Sequence, residues 1–126
     1  MKRRMLTVMM VMVVLVFTGM TWAGTEGTTN TFYGANAGAG TTGPNAVDTF
    51  IGAGAGQYNT TGIANTFLGY QAGNENTTGG GNTFLGAGAG LYNTTANWNT
   101  FLGTGAGSYN TNRRGQHLSW TFCWLG

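Results

Sequence analysis

The chain has one cysteine and few charged side chains, and each shortage excludes a class of protein. The single cysteine, Cys123, cannot form an intrachain disulfide, which excludes a disulfide-stapled scaffold. Only 6% of the 126 residues are charged, so the convergent acids and bases of glycosidases and similar enzymes are missing. Leu, Ile and Val are scarce beyond the first 23 residues, and a compact globular core would therefore be difficult to fill.

The first 23 residues differ in composition from the rest of the chain. Three basic residues at positions 2–4 precede an apolar run from Met5 to about Phe17, and small residues follow, ending at Ala23. This pattern predicts a secretory signal peptide over residues 1–23, cleaved after Ala23, with an uncleaved N-terminal anchor as the alternative. We therefore expect a secreted or cell-surface protein that contacts the membrane only through this segment during export.

Removal of the signal peptide would also remove most of the positive charge. Two arginines, Arg113 and Arg114, then remain against three acids, Glu26, Asp48 and Glu75, which gives a net charge of −1. Nucleic-acid binding requires a clustered basic face, and this remainder offers none. We predict no nucleic-acid partner.

The sequence predicts no catalytic, cofactor-binding or metal-binding residues, and no cofactor. The three acids lie far apart in the sequence and have no histidine, cysteine or basic residue at a suggestive spacing, so we expect no enzyme. The GAGTTG segment at 38–43 matches a dinucleotide fingerprint, but no helix is predicted after it to hold a phosphate. Calcium-binding rolls use Asp at alternating positions, where this chain has Asn apart from Asp48.

A repeated block follows the first 29 residues. Its pattern is Asn or Asp, then Thr, Phe, an aliphatic residue or Tyr, and Gly, and it begins at Asn30, Asp48, Asn65, Asn82 and Asn99. The steps between copies are 18, 17, 17 and 17 residues. So regular a period indicates stacked structural units in which equivalent positions lie above one another.

The repeat predicts β structure. The Thr-Phe-Leu-Gly block is a short run of strand formers ended by glycine, whereas Asn-Thr-Thr-Gly is typical of turns. Glycine recurs every few residues and would cost a helix interior about 1 kcal/mol each. We expect an all-β fold, a parallel β-solenoid of about five 17-residue rungs, with one or two short strands per rung spaced about 4.8 Å apart.

Each predicted strand has apolar residues on both faces. Phe67 and Leu68 are adjacent and must point in opposite directions, and the same holds for Phe84 and Leu85. One face fills the interior, and the other leaves an exposed apolar stripe unless another chain covers it. Assembly with other chains is one interpretation, and shielding of the stripe by the chain's own loops is the other.

A second column of asparagines consists of Asn59, Asn76, Asn93 and Asn110. Stacked asparagines can form amide ladders that fix the register of the rungs, or can simply repeat the same turn chemistry in every rung. Three of them begin Asn-Thr-Thr sequons, which we interpret as turns unless the cell glycosylates exported asparagines.

The NTFLG blocks at 65–69 and 82–86, with Ala-Gly and Asn-Thr-Thr-Gly between them, resemble bacterial surface-fibre repeats. Similar repeats occur in the heads of trimeric autotransporter adhesins and in phage tail-fibre-like proteins, and the resemblance covers about residues 30–112. It implies a parallel β-roll, a homotrimer of chains side by side, and an adhesive role toward a host or matrix surface. It also implies that the positions after each Phe help to form the interior or the interface; these are Tyr33, Ile51, Leu68, Leu85 and Leu102.

The domain organisation expected from these patterns is a signal peptide at 1–23, a linker at 24–29, a repeat domain at 30–112 and a tail at 113–126. The repeat register is expected to be lost in the tail. There Thr121 and Phe122 echo the Thr-Phe pair, and the tail is either a degenerate cap or the product of a truncating frameshift.

Three functions remain open on sequence alone. The first is an adhesive surface-fibre module. In it the side chains of Tyr58, Tyr92 and Tyr109, which share one position of the repeat, either present an aromatic surface or only cover the rung edges. The second is an architectural or self-aggregating fibre segment without a ligand, or a non-functional fragment. The third is an ice- or crystal-surface binder that uses the stacked Thr60, Thr77 and Thr94, although adjacent Thr pairs point to opposite faces.

Overall fold

The computed structural model describes residues 29–43 and 46–119, and these ranges are all-β, without a helix. They contain six three-residue strands: β1 (Thr31–Tyr33), β2 (Thr49–Ile51), β3 (Thr66–Leu68), β4 (Thr83–Leu85), β5 (Thr100–Leu102) and β6 (His117–Ser119). All neighbouring pairs are parallel, in one sheet whose order follows the chain. The predicted parallel β-solenoid of about five turns, with one strand per turn, is confirmed.

The predicted signal peptide, most of the linker and the last seven residues lie outside the described residues. The cleavage site at Ala23, the echo at Thr121 and Phe122, and Cys123 therefore remain sequence predictions. Among residues 29–43 and 46–119, no helix has the length and apolarity needed to cross a bilayer.

We call each turn of the solenoid a rung and number it from the residue that opens its block. The first rung opens at Asn30, the second at Asp48 and the third at Asn65; the fourth, fifth and sixth open at Asn82, Asn99 and Gln116. The strands pair with no slip, so that Phe67 lies opposite Phe50 on one side and Phe84 on the other. Equivalent residues of every copy therefore form columns.

The interior is a column of phenylalanines. Phe50, Phe67, Phe84 and Phe101 are fully buried, and their rings stack nearly parallel at centroid spacings of 4.7–4.8 Å. Buried alanines, one per rung, pack into the same core. The ring spacing agrees with the rung spacing predicted from strand geometry.

Glycine makes room for this column and closes each strand. A Cβ at Gly56 would lie only 2.5 Å from the Phe50 ring, so any larger residue would displace the ring from the core. A Cβ at Gly86 would lie 2.5 Å from the backbone of Gly103 in the next rung, and Gly86 itself has φ +138°. Two of the repeated glycine positions are therefore required by the close approach of other atoms.

Backbone pairing between rungs extends beyond the strands. The Gly56 N–H donates to the Ala72 carbonyl at 3.0 Å, and the Tyr58 N–H donates to the Asn74 carbonyl at 2.9 Å. Within each rung a tight turn closes as well, where the Ala55 N–H donates to the Gly52 carbonyl at 3.1 Å. Most of the circumference of the solenoid is thus held by hydrogen bonds from one rung to the next.

The repeat phase continues further than the sequence indicates. Strand β6 pairs with β5 so that Leu118 lies opposite Phe101 and His117 opposite Thr100. Gln116 occupies the position that Asn has in the preceding rungs, and its N–H donates to the Asn99 side-chain oxygen at 2.8 Å. The expectation that the register is lost after residue 112 is wrong for this segment, because backbone pairing tolerates a sequence that no longer matches the block.

Candidate functional site

The outer face of the sheet carries two columns of side chains, from the first and third positions of the strands. Because neighbouring strand residues point to opposite faces, burial of the central Phe places the flanking Thr and aliphatic residues outside. Leu68, Leu85 and Leu102 are 42%, 40% and 46% exposed. Tyr33 and Ile51 are exposed in the same column.

The resemblance implies that this column forms either the interior or an interface, and the interior alternative is wrong. The Phe rings and the small residues packed against them already fill the space inside each rung, so the column stays outside. The predicted exposed apolar stripe is present, and the described part of the chain covers it only in part. We call the face made by these residues and the strand-opening threonines Thr31, Thr49, Thr66, Thr83 and Thr100 the outer stripe.

The outer stripe is uncharged over the first five strands. Each opening threonine lies two residues before the exposed aliphatic or Tyr position, so both columns share one face. His117 takes the threonine position in β6. The sequence reading missed the threonine column, although the two-residue spacing between Thr and Leu was the signal that would have found it.

Two columns of asparagines are buried inside the solenoid in addition to the Phe column. In the column that opens each block, the Asn82 N–H donates to the Asn65 side-chain oxygen at 3.0 Å, and the Asn65 amide donates to the Gly79 carbonyl at 2.9 Å. Both asparagines are fully buried. This column therefore ties each rung to the next and also closes its own rung.

The second column forms the amide ladder predicted from the sequence. The Asn76 amide donates to the Asn59 side-chain oxygen at 2.7 Å, and the Asn93 amide donates to the Asn76 oxygen at 2.9 Å. The Asn76 amide also donates to the carbonyl of Gly79, three residues later, at 2.9 Å. The ladder and the turn interpretation therefore hold together, since one amide group serves both.

The burial of this column bears on the three sequons. Asn59, Asn76 and Asn93 are 0% exposed, and the amide nitrogen that a glycan would modify is a hydrogen-bond donor in each. A glycan on that nitrogen would not fit inside the folded solenoid. The sequons are structural in the folded protein.

Asp48 is the one acid inside the asparagine columns. Its carboxylate accepts hydrogen bonds from the Asn65 N–H at 2.8 Å and from the Asn59 amide at 3.0 Å, and it is fully buried. Burial raises the pKa of Asp48 from 3.8 to about 6, although these hydrogen bonds oppose the rise. Its neighbours in the column are neutral amides. Asp48 is therefore the one titratable side chain at the block-opening position of the described rungs.

The threonines considered for ice binding have other partners. The Thr60 hydroxyl donates to the Thr77 carbonyl at 2.9 Å, and the Thr77 hydroxyl donates to the Thr94 carbonyl at 2.9 Å. These hydroxyls bond the rungs to one another instead of forming an outward array. The interpretation as an ice-binding array loses its support at these positions.

A column of tyrosines lies on a different side of the solenoid. Tyr58, Tyr92 and Tyr109 are 49%, 42% and 82% exposed, and Glu75 occupies their phase in the third rung. The rings of Tyr92 and Tyr109 stack at 5.4 Å. Stacking covers part of each ring, so these residues both protect the rung edges and leave aromatic surface in contact with solvent.

The described residues contain no cluster of the side chains that usually bind metal ions. No group of three His, Cys, Asp or Glu side chains lies close enough to hold a metal ion within these ranges. A cleft of about 500 Å³ lies over the last complete rung, lined by Tyr109, Asn110, Arg113, Gln116 and neighbouring residues, and no acid borders it. Segment 38–43 is a turn followed by irregular backbone within the first rung, and no helix follows it among the described residues. The phosphate-binding geometry of the dinucleotide fingerprint is therefore missing there.

Comparison with known proteins adds no relative: no family model matches the chain, and no curated sequence or solved structure is similar to it.

Proposed function

We propose that this chain is an exported structural and adhesive module of a cell-surface or extracellular fibre, in which copies associate side by side through the outer stripe. The observation that carries the proposal is the exposed, uncharged column that includes Leu68, Leu85 and Leu102. A continuous apolar column on a solvent-facing sheet is a feature of surfaces that other chains cover. A homotrimer is the arrangement that the resemblance to adhesin heads favours.

The size of the outer stripe sets the strength of this association. Five strands, each about 4.8 Å wide, cover about 24 Å of the sheet, and a three-residue strand is about 10 Å long. The flat footprint of about 240 Å² is well below the ~800 Å² per partner of a stable interface. We therefore expect association that grows with concentration, and that strengthens when more rungs or more stripes are joined.

The adhesive part of the proposal rests on the surfaces that side-by-side assembly leaves open. The tyrosine column and Trp98, which is 71% exposed, present aromatic rings away from the outer stripe. Tyr and Trp combine an apolar body with a polar tip and are enriched where proteins recognise partners. A host or matrix surface is the partner class that this function requires.

An architectural fibre segment that grows without fixed stoichiometry is the second candidate. It is favoured by the in-register stacking of identical residues and by the amide ladder, because both occur in stacked β-fibres. In this case the chain would need no ligand of its own.

Analytical ultracentrifugation of the full-length chain over a concentration series tests the proposal and separates the two candidates. We expect the native chain to convert from a monomer to a discrete oligomer as its concentration rises, and a variant with Leu68→Thr, Leu85→Thr and Leu102→Thr to remain monomeric with unchanged β circular dichroism. Ile63→Thr is the matched control, because Ile63 is 49% exposed on another side of the solenoid.

Three other outcomes would each be informative. Open-ended growth of the native chain would favour the architectural candidate. A native chain that stays monomeric at every concentration would refute association through the outer stripe. An Ile63→Thr variant that dissociates as completely as the triple variant would show that the stripe has no special role.

A further inference from the structure

The rung that opens at Asp48 differs from the three rungs that follow it in one hydrogen bond. In the third rung the Gly79 carbonyl accepts two amide donors, one from Asn65 and one from Asn76, both at 2.9 Å. The Ala96 carbonyl of the fourth rung accepts the same pair of donors, from Asn82 and Asn93. The Arg113 carbonyl of the fifth rung accepts the equivalent pair, from Asn99 and Asn110, so two columns of amides converge on one carbonyl in the third, fourth and fifth rungs.

In the second rung this carbonyl belongs to Gly62, and it accepts only the amide of Asn59, at 3.0 Å. The residue that would supply the second donor is Asp48, which has an oxygen where asparagine has an NH₂ group. An ionised carboxylate donates no hydrogen bond, whereas a protonated carboxyl group has one O–H to donate. One proton on the Asp48 carboxyl group would therefore supply the donor that the Gly62 carbonyl lacks.

We propose that Asp48 is a proton-dependent lock between the first three rungs: it takes up a proton as the solenoid folds, its Oδ2–H donates to the Gly62 carbonyl, and loss of that proton loosens these rungs. The proton comes from water and returns to water, so no other reactant is needed. This inference does not rest on the proposed function.

The surroundings of Asp48 suit such a lock. Its hydrogen-bond partners come from three consecutive rungs: the Asp48 N–H donates to the Asn30 side-chain oxygen at 2.8 Å, and Asn59 and Asn65 bond its carboxyl oxygens. All three partners are neutral. Burial without a compensating cation favours the uncharged form of a carboxyl group, and the pKa of Asp48 is raised accordingly.

Other titratable side chains lie away from this position. Tyr33 and Tyr58, in the first and second rungs, are 62% and 49% exposed, and Glu75 of the third rung lies in the outward tyrosine phase. Arg113, Arg114 and His117 belong to the fifth and sixth rungs. Within the described ranges no charged side chain bonds to the carboxyl of Asp48.

The test is direct because Asp48 is the only aspartate in the sequence. The full-length chain labelled with ¹³C-aspartate gives one carboxyl resonance to titrate by NMR. We expect a midpoint near pH 6, whereas an ordinary aspartate titrates near pH 4. Glu26→Gln and Glu75→Gln are the controls, and neither should move the midpoint. A midpoint near pH 4 in the native chain would overturn the proposal.

Hydrogen exchange reports the loosening itself. We expect the protection factor of the Asn65 amide, whose N–H donates to Asp48, to fall on the order of a hundredfold between pH 4 and pH 7. In Asp48→Asn the protection factor should not depend on pH. An equal pH dependence in native and variant chains would contradict the lock.

A transplant keeps the test independent of any one rung. The double variant with Asp48→Asn and Asn82→Asp again has a single aspartate, now in the fourth rung, where the Asn99 N–H would donate to it as it does to Asn82. We expect its carboxyl to titrate well above pH 4 and the pH-dependent protection to move to the Asn99 amide. If the protection factor of the Asn65 amide still depends on pH in this variant, the proposal is overturned.

Discussion

Phe84 and Leu85 are neighbours in one strand and similar in hydrophobicity, yet the solenoid treats them in opposite ways. Phe84 is 0% exposed, whereas Leu85 is 40% exposed on the outer stripe. Phe84 stacks on Phe67 and Phe101 at 4.8 Å. The comparison separates the two roles of this repeat, because one face of each strand stabilises the fold and the other is available for assembly.

The largest effect should come from truncation of each face in turn. We expect Phe84→Ala to lower the free energy of unfolding by about 3–5 kcal/mol, because it opens a cavity and interrupts the ring column. Leu85→Ala should cost less than about 1 kcal/mol, since 40% of the Leu85 surface is already exposed and its loss opens no enclosed cavity. Urea denaturation of both variants at a concentration where the chain is monomeric gives the measurement, and equal losses would contradict the assignment of the two faces.

The next effect concerns the acid inside the asparagine columns. The pKa of Asp48 is raised in the folded state, so its contribution to stability is fully present below about pH 3.8 and is lost as the pH rises to about 6. We expect the free energy of unfolding to fall by on the order of 3 kcal/mol across this range.

Asp48→Asn should remove this fall, because an amide does not titrate and supplies the donor that Gly62 lacks. Urea denaturation at pH 4 and pH 7 measures the difference, and Glu75→Gln is the control that should keep the native dependence. A native chain that is more stable at pH 7 than at pH 4 would contradict the sign of the prediction.

A somewhat smaller effect should follow from breaking the amide ladder. Asn76→Ala removes two donated hydrogen bonds and deprives the Asn93 amide of one of its two acceptors. We expect a loss of about 2–3 kcal/mol, because the abandoned polar groups stay buried. Asn112→Ala is the matched control, since Asn112 is exposed, and it should change stability by less than about 0.5 kcal/mol. Thermal denaturation followed by circular dichroism distinguishes the two variants.

The smallest effect should come from the backbone at the corner before each block. Ala64 has φ +58° in the phase where Gly81 and Gly115 have φ +68° and +66°. We expect Ala64→Gly to raise the free energy of unfolding by about 1 kcal/mol, because glycine adopts this conformation without steric cost. Ala53→Gly, at an exposed position without positive φ, should instead lower it by up to about 1 kcal/mol. A gain in both variants would show that the corner is not strained.

Trp98 occupies the same strained corner as Ala64, with φ +61° and 71% of its surface exposed. A Cβ at Gly81 would lie 2.5 Å from the Trp98 ring, so the ring covers the glycine of the preceding rung. No sequence pattern predicts this position, because a single tryptophan outside the repeated block has no periodic partner. Its exposure became visible only when the rungs were stacked.

The period, the short strands, their in-register parallel stacking and the amide ladder were all predictable from the order of the residues. These features follow from local chemistry repeated at a fixed spacing, such as Thr-Phe before glycine and Asn before Thr-Thr. Equivalent residues must meet when identical units stack, so Asn76 was bound to lie between Asn59 and Asn93.

Which face of each strand lies inside depends on how the whole rung packs. Phe and Leu are both apolar, and the choice depends on the glycine that passes beneath each ring six residues later, as Gly56 does beneath Phe50. The continuation of the register through Leu118 and the environment of Asp48 were decided in the same way. Both of these features depend on groups that are eleven to eighteen residues apart along the chain and meet only when a rung closes. The residues around Leu118 do not match the repeated block, and the block that opens at Asp48 does not show which groups surround its carboxylate, so the local sequence does not predict these contacts.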